Sequence, residues 1–294
     1  MKDLTVFVLT HNRGEMLLET IDSILNQSCH DFKFIVSDNS SNDETMRLLE
    51  ERGYLGKFEY RKRDKEYPSM EHFNLCLSEV DTTYFVLFHD DDIMLQDYVE
   101  TMYNSIAGSE YVAVGCNAYY LYGEKRNKRK MLRKYKNNLS VALVTKDLAL
   151  QYCKRNGIVP FPSYMYNKKL IGTKIFDEEC GKYSDVSWLL RLVKLAPIYW
   201  LTAPLMYYRI HKGQDSQMLD IENQKKLLLK FQNILGAENH YIVNYKYNLE
   251  YSDIIVKYCK NNSFDKEKFS QLLKVSKKYA LRTILKVLQV RLSK

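Results

Sequence analysis

Three consecutive carboxylates, Asp90, Asp91 and Asp92, follow His89 behind the apolar run Tyr84-Phe85-Val86-Leu87-Phe88. At the end of a buried strand such a group repels itself and loses solvation, and a bound cation relieves both problems. Hard carboxylate oxygens suit magnesium or manganese, typically shared with a substrate's phosphates. A helix N-cap with acids in its first turn accounts for one or two of these aspartates; a divalent metal accounts for all three. Two more polar clusters also follow apolar runs: Thr10-His11-Asn12-Arg13, and Ser37-Asp38-Asn39-Ser40-Ser41-Asn42-Asp43. The second of these is equally what a turn and N-cap use. Farther on, Asp185 opens a helical segment, either as an N-cap or as a carboxylate general base beside an acceptor-stacking Trp188. His211 ends Tyr207-Tyr208-Arg209-Ile210-His211, and a single histidine is more often structural than a ligand.

The surrounding elements explain why these clusters could meet. Apolar, β-rich segments begin near Leu4, Phe32, Phe58, Tyr84 and Tyr111, at spacings of 28, 26, 26 and 27 residues. Between them, Leu17, Leu18, Ile21, Ile24 and Leu25 form one helical stripe. Met70, Phe73 and Leu77 form another, behind the helix start Pro68-Ser69. Alternation at this spacing predicts βα units, hence an α/β fold with a mostly parallel sheet and helices on both faces. Ligands bind outside the carboxyl ends of the strands in such sheets, so all three clusters fall at one edge. After Gly115 the rhythm breaks. Residues 124–136 read as a loop or splayed hairpin, 146–155 and 184–195 as helices, and 157–166 (GIVPFPSYMY) as a loop. Two short strands are expected at 198–201 and 205–210. From Met218 onward the pattern is helical, with Leu227, Leu228, Phe231 and Leu235 on one side. One α/β domain over 1–215 and a helical appendage over 216–294 are expected.

The 294 residues are 46% hydrophobic and 27% charged, ordinary globular values that exclude wholesale disorder. No apolar run approaches the ~20 residues that span a bilayer. Met1-Lys2-Asp3-Leu4 leads straight into a strand, so no signal peptide and a cytoplasmic location are expected. The two closest of the six cysteines, Cys153 and Cys180, stand 27 residues apart, which excludes CxxC redox and zinc motifs and points to reduced thiols. The net charge of +8 is uneven: residues 124–136 hold eight Lys/Arg and one Glu, and 274–294 hold seven Lys/Arg and no acid. Such patches are solvated surface or attract phosphates in nucleic acid, anionic lipid or a diphosphate ligand. In the second patch Leu281, Ile284, Leu285, Leu288 and Leu292 fall at helical spacing. This basic amphipathic helix either lies on an anionic membrane or packs on the domain.

Taken in order, these motifs resemble family 2 glycosyltransferases of the GT-A type, over about residues 3–216. Thr10-His11-Asn12-Arg13 resembles the family's Thr-Tyr-Asn-Arg, and Ile24-Leu25-Asn26-Gln27-Ser28 its Ile-Leu-x-Gln-Thr helix end. The Asp38–Asp43 segment resembles its Asp-Asp/Asn-Gly-Ser-Thr-Asp loop, and His89-Asp90-Asp91-Asp92 its Asp-x-Asp-Asp. Asn74 matches an asparagine on the preceding helix. Tyr183-Ser184-Asp185 is similar to an acceptor-side Glu-Asp motif, with Ser184 in place of the glutamate. Tyr208-Arg209-Ile210-His211 is similar to a terminal Tyr-Arg-x-His element. His89 stands where the family often has an aspartate, and Asp90-Asp91-Asp92 spells Asp-x-Asp one residue later, so two registers are open.

The resemblance implies a nucleotide-sugar donor, most often a UDP-sugar, and inverting transfer of one sugar. A donor-binding half over about 1–116 and an acceptor-side half over 117–215 follow from it. Thr10, His11, Asn12, Arg13, Asp38, Asn74, Asp90 and Asp91 would bind the donor. Asp91, Asp92 and His211 would hold Mn2+ or Mg2+. Asp185 would be the catalytic base, with Trp188, Ser163 and Tyr164 contacting a saccharide or lipid-diphosphate-linked acceptor of surface-polysaccharide synthesis. An anionic membrane surface is a further partner implied by residues 274–294, and a peripheral place on the inner face of the plasma membrane follows. The alternatives are a nucleotidyltransferase acting on sugar phosphates, a nucleic-acid-binding protein using the basic patches, and a degenerate transferase fold kept as a scaffold. The first usually carries a glycine-rich loop after its first strand, where only Gly14 is found. The second shows no recognisable nucleic-acid module and leaves the acidic motif unused.

Overall fold

Strand and helix alternate from the first residues: β1 (Leu4–Thr10), α1 (Gly14–Leu25), β2 (Lys33–Asp38), α2 (Glu44–Glu51), β3 (Glu59–Lys62), α3 (Ser69–Ser78) and β4 (Tyr84–His89). Then follow β5 (Ile93–Met94), α4 (Tyr98–Ile106), β6 (Ala113–Tyr122), β7 (Lys125–Met131), β8 (Val141–Leu143) and α5 (Thr145–Cys153). Last come β9 (Tyr164–Asn167), α6 (Lys168–Ile171), α7 (Ser184–Leu192), β10 (Ile198–Ile210) and α8 (Ile221–Leu235). This computed structural model describes residues 1–123, 125–132, 141–153, 161–211 and 221–244, with 246, 270, 281, 284 and 285.

The strands form one sheet in the order β3-β2-β1-β4-β9-β6-β10-β5, with β7 on β6 and β8 on β10. β1 pairs parallel with β2 and β4, β2 with β3, and β6 with β10. Every residue of β1 is buried, as expected of a strand covered on both faces. Leu17, Ile21 and Ile24 of α1 and Val99, Met102 and Ile106 of α4 share one core cluster with Val6, Val8, Val86 and Phe88. Each such side chain contributes about 1.5–3 kcal/mol by leaving water.

Three segments differ from the sequence pattern. The expected loop at 157–166 ends as β9, an antiparallel strand inserted between β4 and β6; residues 157–160 lie outside the described residues. All four β9 residues are buried, so the run lacks the alternation of a half-exposed strand, and the prolines before it read as loop punctuation. The two expected strands at 198–201 and 205–210 are one 13-residue strand. Register shifts on either side of Pro204 absorb its missing donor without ending the strand. In the basic run, β7 pairs back on β6 as a hairpin, turning at Gly123 with φ +57°, a conformation glycine adopts without strain.

The chain forms two compact units. The first comprises Met1–Leu148, Ile158–Glu178 and Ser184–Gln214; the second comprises Ala149–Gly157, Glu179–Tyr183 and Asp215–Lys294. In the second, Leu227, Leu228, Phe231 and Leu235 are buried along α8, and Phe231 stacks on Tyr152 at 4.7 Å. Leu281 and Leu285 are helical and exposed; Leu288, Leu292 and most of 274–294 lie outside the described residues. Among the described residues, no helix is long and apolar enough to cross a membrane, and Cys29, Cys76 and Cys116 are free thiols.

Candidate active site

Parallel register delivers the polar clusters to one place. Thr10 is aligned with Asp38 across β1 and β2, and Leu9 with His89 across β1 and β4. β10 arrives at the same edge. The Arg209 backbone N–H donates to Asp92 Oδ1 at 2.9 Å, and its Nε donates to the Asp91 carbonyl at 2.7 Å. Arg209 is itself buried and pairs with Glu19 at 3.1 Å. The end of β10 is thereby fastened to the turn that carries the acids.

Within this turn the three aspartates have different surroundings. Asp90 Oδ2 accepts from the Thr10 hydroxyl at 2.8 Å and from the His11 N–H at 3.2 Å. Arg13 Nη1 bridges Asp90 Oδ1 and Asp91 Oδ2, both at 3.2 Å. His211 Nε2 lies 2.9 Å from Asp91 Oδ2. Asp92 is fully buried, and its Oδ2 has no hydrogen-bond partner. Burial pushes Asp90 up to about 6, with Arg13 opposing and Asp91 adding to the rise. Burial and the neighbouring Asp91 push Asp92 well above the carboxylate range. Ligand atoms of His89, Asp91 and Asp92 all lie within 4.8 Å of one another. An orphaned buried oxygen, two neighbouring carboxyl groups and an imidazole converging on one point fit a divalent cation. His89 is the member that sequence reasoning left out of the metal set. Its signal was the two-residue step to Asp91 at the end of a strand.

Asp38 is buried at the same edge but does not touch the acidic turn. Its Oδ1 accepts the Ser40 N–H at 2.9 Å, and its Oδ2 accepts from the Tyr60 hydroxyl at 2.6 Å and Lys62 Nζ at 3.4 Å. Burial and the Asp38 hydrogen bond raise the Tyr60 phenol strongly, so it stays a donor. Tyr60 and Lys62 were also missed. They alternate along β3, and Lys62 is in register with Asp38. Asn12, at φ +54°, donates its backbone N–H to Ser40 Oγ at 2.8 Å, joining the loops after β1 and β2. His11 Nε2 meets Glu66 at 2.7 Å on the exposed side.

Five expected site residues, Asn74, Trp188, Ser163, Tyr164 and Asp185, lie outside this hydrogen-bonded group. The Asn74 amide is committed to the Phe176 backbone, donating to its carbonyl at 2.9 Å and accepting its N–H at 2.7 Å. Trp188 is fully buried and stacks on Phe176 at 4.3 Å, so it offers no face to an acceptor. Ser163 and Tyr164 are buried as well, with Tyr164 packed against Trp200 and Tyr166. An apolar ring and a small hydroxyl residue beside a covered sheet are core material, whatever their place in the chain. Asp185, half-buried at the start of α7, accepts the Val186 N–H at 2.7 Å. Burial pushes its carboxyl up to about 6. Its charge acts on the buried Tyr166, whose ring lies 6.1 Å from Phe161, itself 5.8 Å from His89.

The profile of glycosyl transferase family 2 matches residues 5–171, more than half of the chain. The chain belongs to glycosyltransferase family 2. This glycosyltransferase is 25% identical over 220 residues to the minor teichoic acid biosynthesis protein GgaA of Bacillus subtilis (strain 168). The match covers 72% of the chain and 48% of GgaA, so the chain spans about half the length of that relative. Among solved structures it is similar to S. aureus TarS 1–349 in complex with UDP-GlcNAc, with a TM-score of 0.63 and 13% identity over 94% of this chain and 80% of that one. The mannosyltransferase PcManGT from Pyrobaculum calidifontis, in complex with GDP-Man and Mn2+, gives a TM-score of 0.57 and 15% identity over 99% and 86%. Those likenesses are of fold, and the fold of this family 2 glycosyltransferase is GT-A.

Proposed function

We propose that this glycosyltransferase moves one sugar from a nucleotide-diphosphate sugar, a UDP-sugar first among them, to a hydroxyl of a saccharide or lipid-diphosphate-linked saccharide, with metal dependence and inversion. The observation that carries the reading is the acidic turn, where an orphaned Asp92 oxygen, Asp91, His89, Arg13 and His211 converge at the carboxyl ends of the strands. The complexes of TarS with UDP-GlcNAc and of PcManGT with GDP-Man and Mn2+ support a nucleotide sugar and a metal. The teichoic acid role in GgaA's name supports a surface polymer as the product.

His89, Asp91 and Asp92, with His211 beside Asp91, would hold manganese or magnesium. When bound, the metal supplies a Lewis acid that meets charge developing on the leaving diphosphate. Arg13, 3.2 Å from both Asp90 and Asp91, stands where it can turn to a phosphate oxygen. Asp38, held by Tyr60, Lys62 and the Ser40 N–H, presents an acceptor to an N–H of the base. Asp185 takes the proton of the attacking hydroxyl. A carboxyl near 6 is well matched to that task at neutral pH. Direct attack by one hydroxyl inverts the anomeric carbon and needs a single base. We assign catalysis to residues 1–215 and read 216–294 as a helical appendage whose basic end meets the inner, anionic membrane face.

The test is a thermal-shift panel of UDP, GDP, dTDP and CMP, each with and without manganese. A ligand that binds only the folded state raises the melting temperature by mass action. A manganese-dependent shift with UDP is expected. Equal shifts with and without metal would overturn the metal assignment.

A further inference from the structure

The Asn74 amide is committed to the backbone of a distant segment. It makes both hydrogen bonds that a neighbouring strand would make, to the N–H and carbonyl of a residue 102 positions away. On the same helix, Phe73 packs on the Phe176 ring at 5.6 Å. The other side of this segment is held from α7. Arg191 Nη2 donates to the Ile175 carbonyl at 2.6 Å and pairs with Asp177 at 3.1 Å. The Arg191 guanidinium also lies over the Trp188 ring at 5.4 Å, and Phe176 stacks on that ring at 4.3 Å. Residues 175–177 are thus gripped from α3, the helix that precedes the acidic motif, and from α7, which begins at Ser184 and carries Asp185 in its first turn.

We propose that Asn74 is a positioning residue for Asp185. By fixing segment 175–177 against α3 it sets where α7, and with it the Asp185 carboxylate, stands relative to the donor edge. The proposal rests on Asp185 as the base. The pair of bonds is well suited to the role, because a backbone held at both its donor and acceptor cannot slide or rotate as a side-chain contact can. Displacing a reacting group by about 1 Å costs on the order of 100-fold in rate.

Asn74→Ala is therefore expected to lower kcat about 10–100-fold while leaving the affinity for UDP with manganese within about twofold, and to move the acidic limb of the kcat–pH profile below that of the wild type. Phe176→Ala, which cuts the same chain at its ring, is expected to give the same signature. The double variant should be no worse than the more damaged single one, because both changes break one linkage. Hydrogen exchange, which needs no activity, should quicken at 175–177 and in the first turn of α7 in Asn74→Ala, with the strands β1 and β4 unchanged. UDP affinity falling in step with kcat would return Asn74 to the donor site and overturn the proposal. So would unchanged exchange in α7. If the wild type neither binds a nucleotide nor transfers a sugar, the transferase reading fails, and the exchange measurement still decides whether Asn74 governs α7.

Discussion

The proposed donor edge and the proposed acceptor side differ in how chain order maps onto space. At the donor edge, Thr10, His11, Arg13, Asp90, Asp91 and His211 lie within hydrogen-bond reach of one another in a connected group. On the acceptor side, Ser163, Tyr164 and Trp188 are sealed in the core, and only Asp185 keeps some exposure. Parallel strands in register present their carboxyl ends together, so residues just past each strand meet by construction. Ser163 and Tyr164 lie at the entry to the inserted antiparallel strand β9, and Asp185 and Trp188 on helix α7, so no shared parallel register brings them together. A motif is therefore a good guide to position where a repeating geometry stands behind it, and a poor one where it does not.

The contrast is broken most severely at Asp91. Asp91→Ala should abolish the manganese-dependent UDP thermal shift and lower turnover about 10³-fold, the scale for losing a group that meets developing charge. Turnover at wild-type levels would remove the donor edge from the chemistry. Next is Asp185→Asn, expected to lower kcat about 10²-fold or more with UDP affinity retained. Wild-type kcat should rise with pH through about 6. The same group gives a stability signature. Its folded pKa lies above the ordinary value of about 4, so its contribution is complete at low pH and is lost as pH rises from about 4 through about 6. Asp185→Asn lacks that loss and should gain stability relative to wild type across this window, read from melting curves at stepped pH.

Trp188→Phe tests the buried side directly. It trims a stacked core ring whose indole N–H has no partner, so a stability loss of about 1–3 kcal/mol with unchanged acceptor KM is expected. A raised acceptor KM at unchanged melting temperature would put Trp188 back at the acceptor. The smallest effect belongs to Glu66→Gln, which removes an exposed partner of His11. Denaturant titration should register less than about 1 kcal/mol, and a larger loss would mean that the loop after β1 depends on this contact.

Much of the fold was legible. The spaced apolar runs became β1, β2, β3, β4 and β6, and the stripe from Leu17 to Ile24 faces the core. β9 was not legible, because a four-residue strand buried on both faces has neither the period nor the length to separate it from an apolar loop. The single β10 was hidden by Pro204, whose disruption the parallel neighbour β6 tolerates through a register shift. At the site, residue types pointed to a cation. His89 as a ligand candidate, and Tyr60 and Lys62 around Asp38, depended on which side chains share a face across strands.

What the sequence determined by itself is the alternation of strand and helix and the placing of polar residues just after the strands, because both are local: periodicity of burial and the carboxyl-end rule act within about 30 residues. Only the tertiary structure decided that Asn74 grips Phe176, that Trp188 is core and that Arg209 bonds the Asp91 and Asp92 turn. The Asn74 and Arg209 contacts join residues from 102 to 118 positions apart, beyond the reach of any local pattern. Hydrogen-bond and packing partners at such separations are chosen by strand order and register, which no local pattern encodes.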